Sequence, residues 1–97
     1  MDTQITSRHF NASSRLKEFV NTRVSKLERF YDGITDARVV LSKQKASGSG
    51  KIAEITLNVQ RRSITAQDEA QTYEAAIDRC VARLRRQILK YKAKRRG

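Results

Sequence analysis

Residues 52–59 read IAEITLNV, and the alternation in this stretch decides the fold. Ile55, Leu57 and Val59 fall on one face of a strand, because successive strand side chains point to opposite faces. The polar residues between them fall on the other face. This pattern is typical of antiparallel sheets that have one face on the core and one face in water. We therefore predict a strand at residues 52–59 with one wet face.

The segment before this strand alternates as well. Ala37, Val39 and Leu41 share one face within residues 34–45, which predicts another strand. Residues 46–50, with the sequence ASGSG, are typical of a flexible loop that separates the two strands.

Two shorter strands are predicted further out. Residues 60–63 predict a tight connection to a short last strand at residues 64–67. Residues 3–10 carry Ile5 and Phe10 among polar residues, which predicts a short first strand followed by a turn. The three later strands can pair as an antiparallel meander.

A first helix is predicted over residues 14–31. Asn11, Ser13 and Ser14 offer capping side chains before it, and Gly33 suits a left-handed C-cap after it. The apolar residues that recur at helical spacing are Leu16, Phe19, Val20, Val24, Leu27, Phe30 and Tyr31.

A second helix is predicted from about Ala70 to at least Tyr91. Asp68 is the expected N-cap, and Glu69 and Glu74 suit the positive helix N-terminus. The apolar stripe of this helix is formed by Ile77, Cys80, Val81, Leu84, Ile88 and Tyr91.

Both helices must bury an apolar stripe, so both are expected on one face of the sheet. The prediction is an α+β fold of order β-α-β-β-β-α, with a four-stranded sheet and two helices packed on one face. It forms a single domain over residues 1–97, with a basic helix end or tail at about 92–97. The residues expected in the core are Leu16, Phe19, Leu27, Ile77, Leu84 and Ile88.

Charge is the strongest indication of function. The chain has 21 Lys and Arg against 10 Asp and Glu, a net charge of +11. Such a charge indicates a polyanionic partner that is bound through its phosphates. A basic tail kept for solubility is the plainer interpretation. A membrane partner is not expected, because the basic helix lacks a wide exposed apolar face and no apolar run approaches the roughly 20 residues of a membrane span.

The basic residues of the second helix form a stripe of their own. Arg79, Arg83, Arg86 and Lys90 lie roughly 130° from the apolar stripe, at about 100° per residue. At this spacing like charges repel one another, a cost that a polyanion partner explains better than solubility does. A second basic flank carries Arg85, Lys92 and Arg96.

The first helix adds further basic residues. Lys26 and Arg29 share a flank, and Arg23 lies at the edge of the apolar stripe near Phe19 and Phe30. If the helices lie side by side, Arg23 and Lys26 face the groove between them. The alternative is that Arg23 only covers Phe30 with its aliphatic stem.

Catalysis and cofactors are not expected. His9 is the only histidine, which argues against a Cys/His zinc site, and Cys80 falls on a buried stripe. Gly48 and Gly50 lack the Lys-Ser/Thr pair of a phosphate-binding loop. A lone cysteine and no visible secretory signal favour a cytoplasmic protein.

Four stretches carry a resemblance to a known family. ITSRHF at residues 5–10, KLERFYD at 26–32, AAID at 75–78 and RLxRQIxKYKxK at 83–94 are similar to segments of the ribosome hibernation-promoting factors, also called ribosome-associated inhibitor proteins. The similarity covers nearly the whole chain in the same order. The motif of the second helix is fairly specific, whereas the first strand alone would be a weak indication.

This resemblance implies the same β-α-β-β-β-α order. It also implies binding to the small ribosomal subunit and its ribosomal RNA in the mRNA and tRNA channel, near the decoding A and P sites. Occupancy there would block translation and preserve idle ribosomes under stress and in stationary phase. With the charge pattern, it leads us to expect an RNA-binding set formed by Arg23, Lys26, Arg29, Arg79, Arg83, Arg86, Lys90, Lys92 and Lys94.

The chain also departs from the family pattern. The turn after the third strand often contains glycine in relatives but has Arg61 and Arg62 here, and Glu74 stands where an aromatic residue is often expected, with Tyr73 one place earlier. The chain ends at Gly97, as short relatives do. We therefore expect a monomer off the ribosome, which would need a separate factor to join ribosomes into dimers.

Two other classes of function stay open from the sequence. A stand-alone module for double-stranded RNA usually needs a basic cluster at a helix N-terminus, whereas this second helix starts acidic and ends basic. A protein adaptor would use the basic face to meet an acidic protein, and nuclease sensitivity of a pull-down would separate it from the RNA-binding classes.

Overall fold

The computed structural model describes residues 1–43, 50–60 and 62–96, except for the side chains of Arg95 and Arg96. The predicted loop at 46–50 therefore lies, apart from Gly50, outside the described residues, as do Arg61 and Gly97. The strands are β1 (Asp2–Ser7), β2 (Ile34–Lys43), β3 (Lys51–Val59) and β4 (Arg62–Ala70). The helices are α1 (Ser14–Ser25), a 3₁₀ helix (Lys26–Arg29) and α2 (Tyr73–Arg96).

The four strands form one mixed sheet in the order β1-β2-β3-β4. β1 pairs with β2 in parallel, and the other two pairs are antiparallel, so the predicted meander is confirmed. The register places Ile55 opposite Val39 of β2 and Ala66 of β4. All three side chains are buried, and they belong to the sheet face that packs against the helices.

The core lies between that face and the two helices. Val20, Val24 and Leu27 come from the first helical segment, and Ile77 and Leu84 come from α2, all of them fully buried. Of the predicted core residues only Phe19 is wrong, because it is half-buried at the edge of the core. The opposite sheet face carries polar side chains, such as Thr56 and Thr65, whose hydroxyls lie 3.1 Å apart.

The first helix begins as predicted but ends earlier than predicted. The Ser13 hydroxyl accepts a hydrogen bond from Leu16 N at 3.1 Å, which confirms an N-cap among the three candidates. The α-helix gives way to the 3₁₀ helix at Lys26, so a single helix to residue 31 was wrong.

Gly33 does not serve as the predicted left-handed C-cap, since its backbone is not left-handed. A Cβ at this position would lie 2.5 to 2.8 Å from atoms of the Tyr31 ring, so a larger residue would force the ring to move. Among the described non-glycine residues, those with positive φ are His9 and Gln60, in the turns after β1 and β3.

The predicted start of α2 was also wrong. β4 continues to Ala70, so Asp68 and Glu69 are strand residues and not helix caps. The N-cap is Thr72, whose hydroxyl accepts from Ala75 N at 3.1 Å. Tyr73 then opens the helix and stacks on Phe10 with ring centroids 4.8 Å apart, so the displaced aromatic residue belongs to the core.

Candidate nucleic-acid interface

The outer face of α2 carries the predicted stripe of basic residues. Arg79, Arg83, Arg86 and Lys90 are all exposed, while Cys80, Leu84 and Ile88 on the opposite side are buried. The helix therefore has one apolar side packed on the sheet and one exposed, positively charged side.

The cations near the start of α2 have partners in the protein. Arg83 Nε donates to Asp68 Oδ2 at 3.0 Å, and Arg79 Nη1 donates to the Glu69 carbonyl at 2.8 Å. Arg79 Nη1 also lies 4.0 Å from Asp68 Oδ1. Asp68 thus offsets the repulsion between Arg79 and Arg83 that the helical spacing predicts, so this part of the stripe has a structural role.

One turn further along, the arrangement changes. An open depression of about 250 Å³ is surrounded by Arg83, Arg86, Gln87 and Lys90, and no carboxylate of the described residues lines it. Gln87 Nε2 donates to the Thr65 carbonyl at 3.3 Å, which fixes this side chain against β4. Within the described residues neither Arg86 nor Lys90 has an ion-pair partner. Their positive charge is free to meet an external anion.

The groove between the two helices contains Arg23, as one of the two predictions had it. The guanidinium lies 4.7 Å from the centroid of Phe19, and Nε is 3.2 Å from Asp78 Oδ1 on α2, at ion-pair distance but without hydrogen-bond geometry. The ring of Phe30 is covered by Arg85 of α2 at 5.0 Å. Arg23 therefore links α1 to α2, and the prediction that it only covers Phe30 was wrong.

The remaining predicted residues lie around this groove and at the helix end. Lys26 and Arg29 are exposed in the 3₁₀ helix, Lys94 is exposed near the end of α2, and Lys92 is half-buried. The structure places all nine predicted residues on the helices, although Arg23, Arg79 and Arg83 have carboxylate partners.

Sequence reasoning missed two contributors to this surface. Gln87 lines the depression beside Arg86, and Arg62 of β4 lies with its guanidinium 5.4 Å from the Tyr91 ring centroid. Helical periodicity already placed Gln87 next to the basic stripe. Arg62 carries no such signal, because its position depends on how β4 packs beside α2.

The titratable groups of the core are in their neutral forms. Burial, and to a lesser extent the nearby Asp68 carboxylate, raises the pKa of the Cys80 thiol to about 11. The thiol donates to the Ala53 carbonyl at 3.2 Å. Burial also raises the pKa of Tyr73. The described residues contain no group of three or more His, Cys, Asp or Glu side chains that could hold a metal ion, and none of the described helices is long and apolar enough to cross a membrane.

Comparison with known proteins identifies a family, a relative and two solved structures that resemble this chain. The family described as Sigma 54 modulation protein / S30EA ribosomal protein matches residues 3–96. The ribosome hibernation promoting factor of Klebsiella oxytoca is 35% identical over 94 residues, which cover 97% of this chain and 96% of that protein.

Two solved structures share the fold. A ribosomal subunit interface protein from Coxiella burnetii superposes with a TM-score of 0.86 at 24% identity, covering 96% of this chain and 99% of that one. The N-terminal domain of Thermus thermophilus Protein Y gives 0.84 at 28% identity, with coverage of 94% and 99%.

Proposed function

This chain belongs to the Sigma 54 modulation protein / S30EA ribosomal protein family, and we propose that it is a ribosome hibernation factor that binds the small ribosomal subunit. The relative from Klebsiella oxytoca, named ribosome hibernation promoting factor, aligns with this chain over 96% of its own length. The observation that carries the proposal is the unopposed positive surface around Arg86 and Lys90, because bound phosphates would supply the missing negative charge.

The proposed binding place is the channel of mRNA and tRNA near the decoding A and P sites. Two exposed basic surfaces support it, one at Arg86 and Lys90 on α2 and one at Lys26 and Arg29 in the 3₁₀ helix. Phosphate contacts fix a protein in one position without reading sequence, and a rigid domain held in this way would exclude other occupants by its bulk.

Inhibition would come from binding and not from a reaction. The one thiol is buried and protonated, so it is a poor nucleophile. We also propose that the protein acts in the cytoplasm, is a monomer away from the ribosome and needs a separate factor to join ribosomes into dimers.

The test combines cell-free translation with filter binding to small subunits. The protein should inhibit translation, and subunits preloaded with mRNA and initiator tRNA should bind it more weakly than empty subunits. Equal binding to empty and preloaded subunits would contradict the channel as the site. Tighter binding to free double-stranded RNA than to subunits would favour a stand-alone RNA-binding module.

A charge-reversal pair tests the surface itself. The double variant Arg86→Glu and Lys90→Glu should lose inhibition. The matched control is Arg38→Glu with Lys43→Glu, two exposed residues of β2 that change the net charge equally. Equal loss in both variants would show that only overall charge matters.

A further inference from the structure

A second pocket lies where the β3–β4 hairpin meets the end of α2. It is open, has a volume of about 180 Å³ and adjoins the depression at Arg86 through shared residues. Its lining consists of Arg62, Ile64, Gln87, Lys90, Tyr91 and Lys94. Three of these are cations and none is an anion.

Aromatic rings support the cation that comes from the sheet. The Arg62 guanidinium lies over the Tyr91 ring at 5.4 Å, and the edge of Tyr31 meets Tyr91 with centroids 5.5 Å apart. An arginine stacked on a ring that is itself packed has fewer orientations open to it, so its donors are partly ordered before any ligand arrives.

The stacking alone does not account for the pocket. Gathering Arg62, Lys90 and Lys94 around one opening raises the free energy of the protein unless an anion joins them. Within the described residues none of the three has an ion-pair partner, whereas Arg79 and Arg83 on the same helix share Asp68. The pocket is therefore built for an external anion.

We propose that this pocket binds a backbone phosphate of RNA, so that the β3–β4 hairpin forms a contact beyond the basic helices. The inference rests on the proposed function, since small-subunit RNA supplies the phosphate. Arg62 gives a planar fork of donors that suits a phosphate, and Lys90 and Lys94 give point charges.

The experiment measures affinity for small subunits against salt concentration, using the full chain. For Arg62→Gln, the slope of log K against log salt should be smaller by about one, the value for a single lost phosphate contact. Arg62→Lys should keep most of the slope. The matched control Arg38→Gln removes the same charge from the opposite, open sheet face and should leave the slope unchanged.

A hydroxyl-radical footprint on the subunit RNA gives the second readout. Arg62→Gln should lose one discrete patch of protection and keep the rest. If Arg62→Gln left the salt slope, the footprint and the thermal stability unchanged, the pocket would not bind an RNA phosphate. The proposed function would remain intact. Failure of the wild-type protein to bind subunits would overturn the proposed function itself. If inorganic phosphate at millimolar concentration competed strongly with the small subunit for the protein, the pocket would instead be a site for a free anion.

Discussion

The basic stripe of α2 has the same helical spacing in both halves of the helix, but its cations have different partners in the two halves. In the first half, Arg79 and Arg83 share Asp68, and Asp78 faces Arg23 of α1. In the second half, Arg86 and Lys90 meet no carboxylate among the described residues. A basic stripe that helical spacing presents as uniform is thus divided into a part paired within the fold and a part without carboxylate partners among the described residues.

The difference follows from where β4 ends. The strand brings its acidic end, Asp68 and Glu69, beneath the start of α2, and its neutral residues Ile64 and Thr65 beneath the later turns. Because the strand and the helix run side by side, the strand sequence determines which cations are neutralised. A charge pattern therefore identifies a binding face only after the neighbouring element has been placed.

The strongest test of this division reverses charge in each half separately. Arg86→Glu with Lys90→Glu should weaken small-subunit binding roughly 100-fold, since each lost charged contact is worth about 1.5 kcal/mol or more. Its melting temperature should stay near that of the wild type. Binding isotherms and thermal unfolding give both values.

Charge reversal in the first half of α2 should affect stability more than binding. Arg79→Glu with Arg83→Glu places two new carboxylates beside Asp68, so the melting temperature should fall clearly while the loss of binding is smaller. If the two double variants lost binding equally and melted alike, the division of α2 would be wrong.

The buried thiol of Cys80, in the first half of α2, should make the stability of the protein depend on pH in the alkaline range. The folded Cys80 thiol has a pKa of about 11 against 9.0 for an ordinary thiol. Between these values the unfolded thiol loses its proton and the folded one keeps it, so ionisation favours the unfolded chain. The free energy of unfolding should fall as pH rises from about 9 to about 11, as denaturant titrations would measure.

Cys80→Ala supplies the control for this dependence. The variant should be less stable at neutral pH because it loses core packing, but its stability should fall less steeply above pH 9. Some slope should remain, since burial raises the pKa of Tyr73 in the same sense. An identical slope in the variant would assign the whole effect to other groups.

A smaller effect is expected when the acidic end of β4 is neutralised. Asp68→Asn should cost at most about 1 kcal/mol of stability, because its partners are largely exposed. Subunit binding should become tighter and more salt-dependent, because Arg83 is released for RNA. Weaker binding at unchanged stability would show instead that Arg83 binds RNA only while Asp68 holds it.

The smallest effect concerns the link between the helices. In a double-mutant cycle, Arg23→Gln and Asp78→Asn should show a coupling of about 0.2–1 kcal/mol in stability, as for other exposed ion pairs. A coupling near zero would leave the packing of Arg23 on Phe19 as its main contribution.

The order of strands and helices, and the apolar residues that face the core, could be predicted from sequence. The reason is that the hydrophobic periods of strands and helices are local properties. The role of Asp68 could not. An acidic pair before a helical pattern resembles a cap, and only the pairing of Ala53 with Asp68 shows that the strand continues. Arg62 was missed for the same reason, since nothing near it in the chain indicates Tyr91. The role of Asp68 and the position of Arg62 both depend on contacts between segments that are distant in the chain.

The hydrogen bonds that α2 side chains donate to β4 also bear on association between molecules. β4 is an edge strand, and an exposed edge is a template on which another chain can add a strand and aggregate. Gln87 and Arg79 occupy the carbonyls of Thr65 and Glu69 along this edge. An incoming strand would have to displace both donors and approach past a row of cations. The helix that carries the exposed basic stripe thus also shields this edge against the addition of another strand.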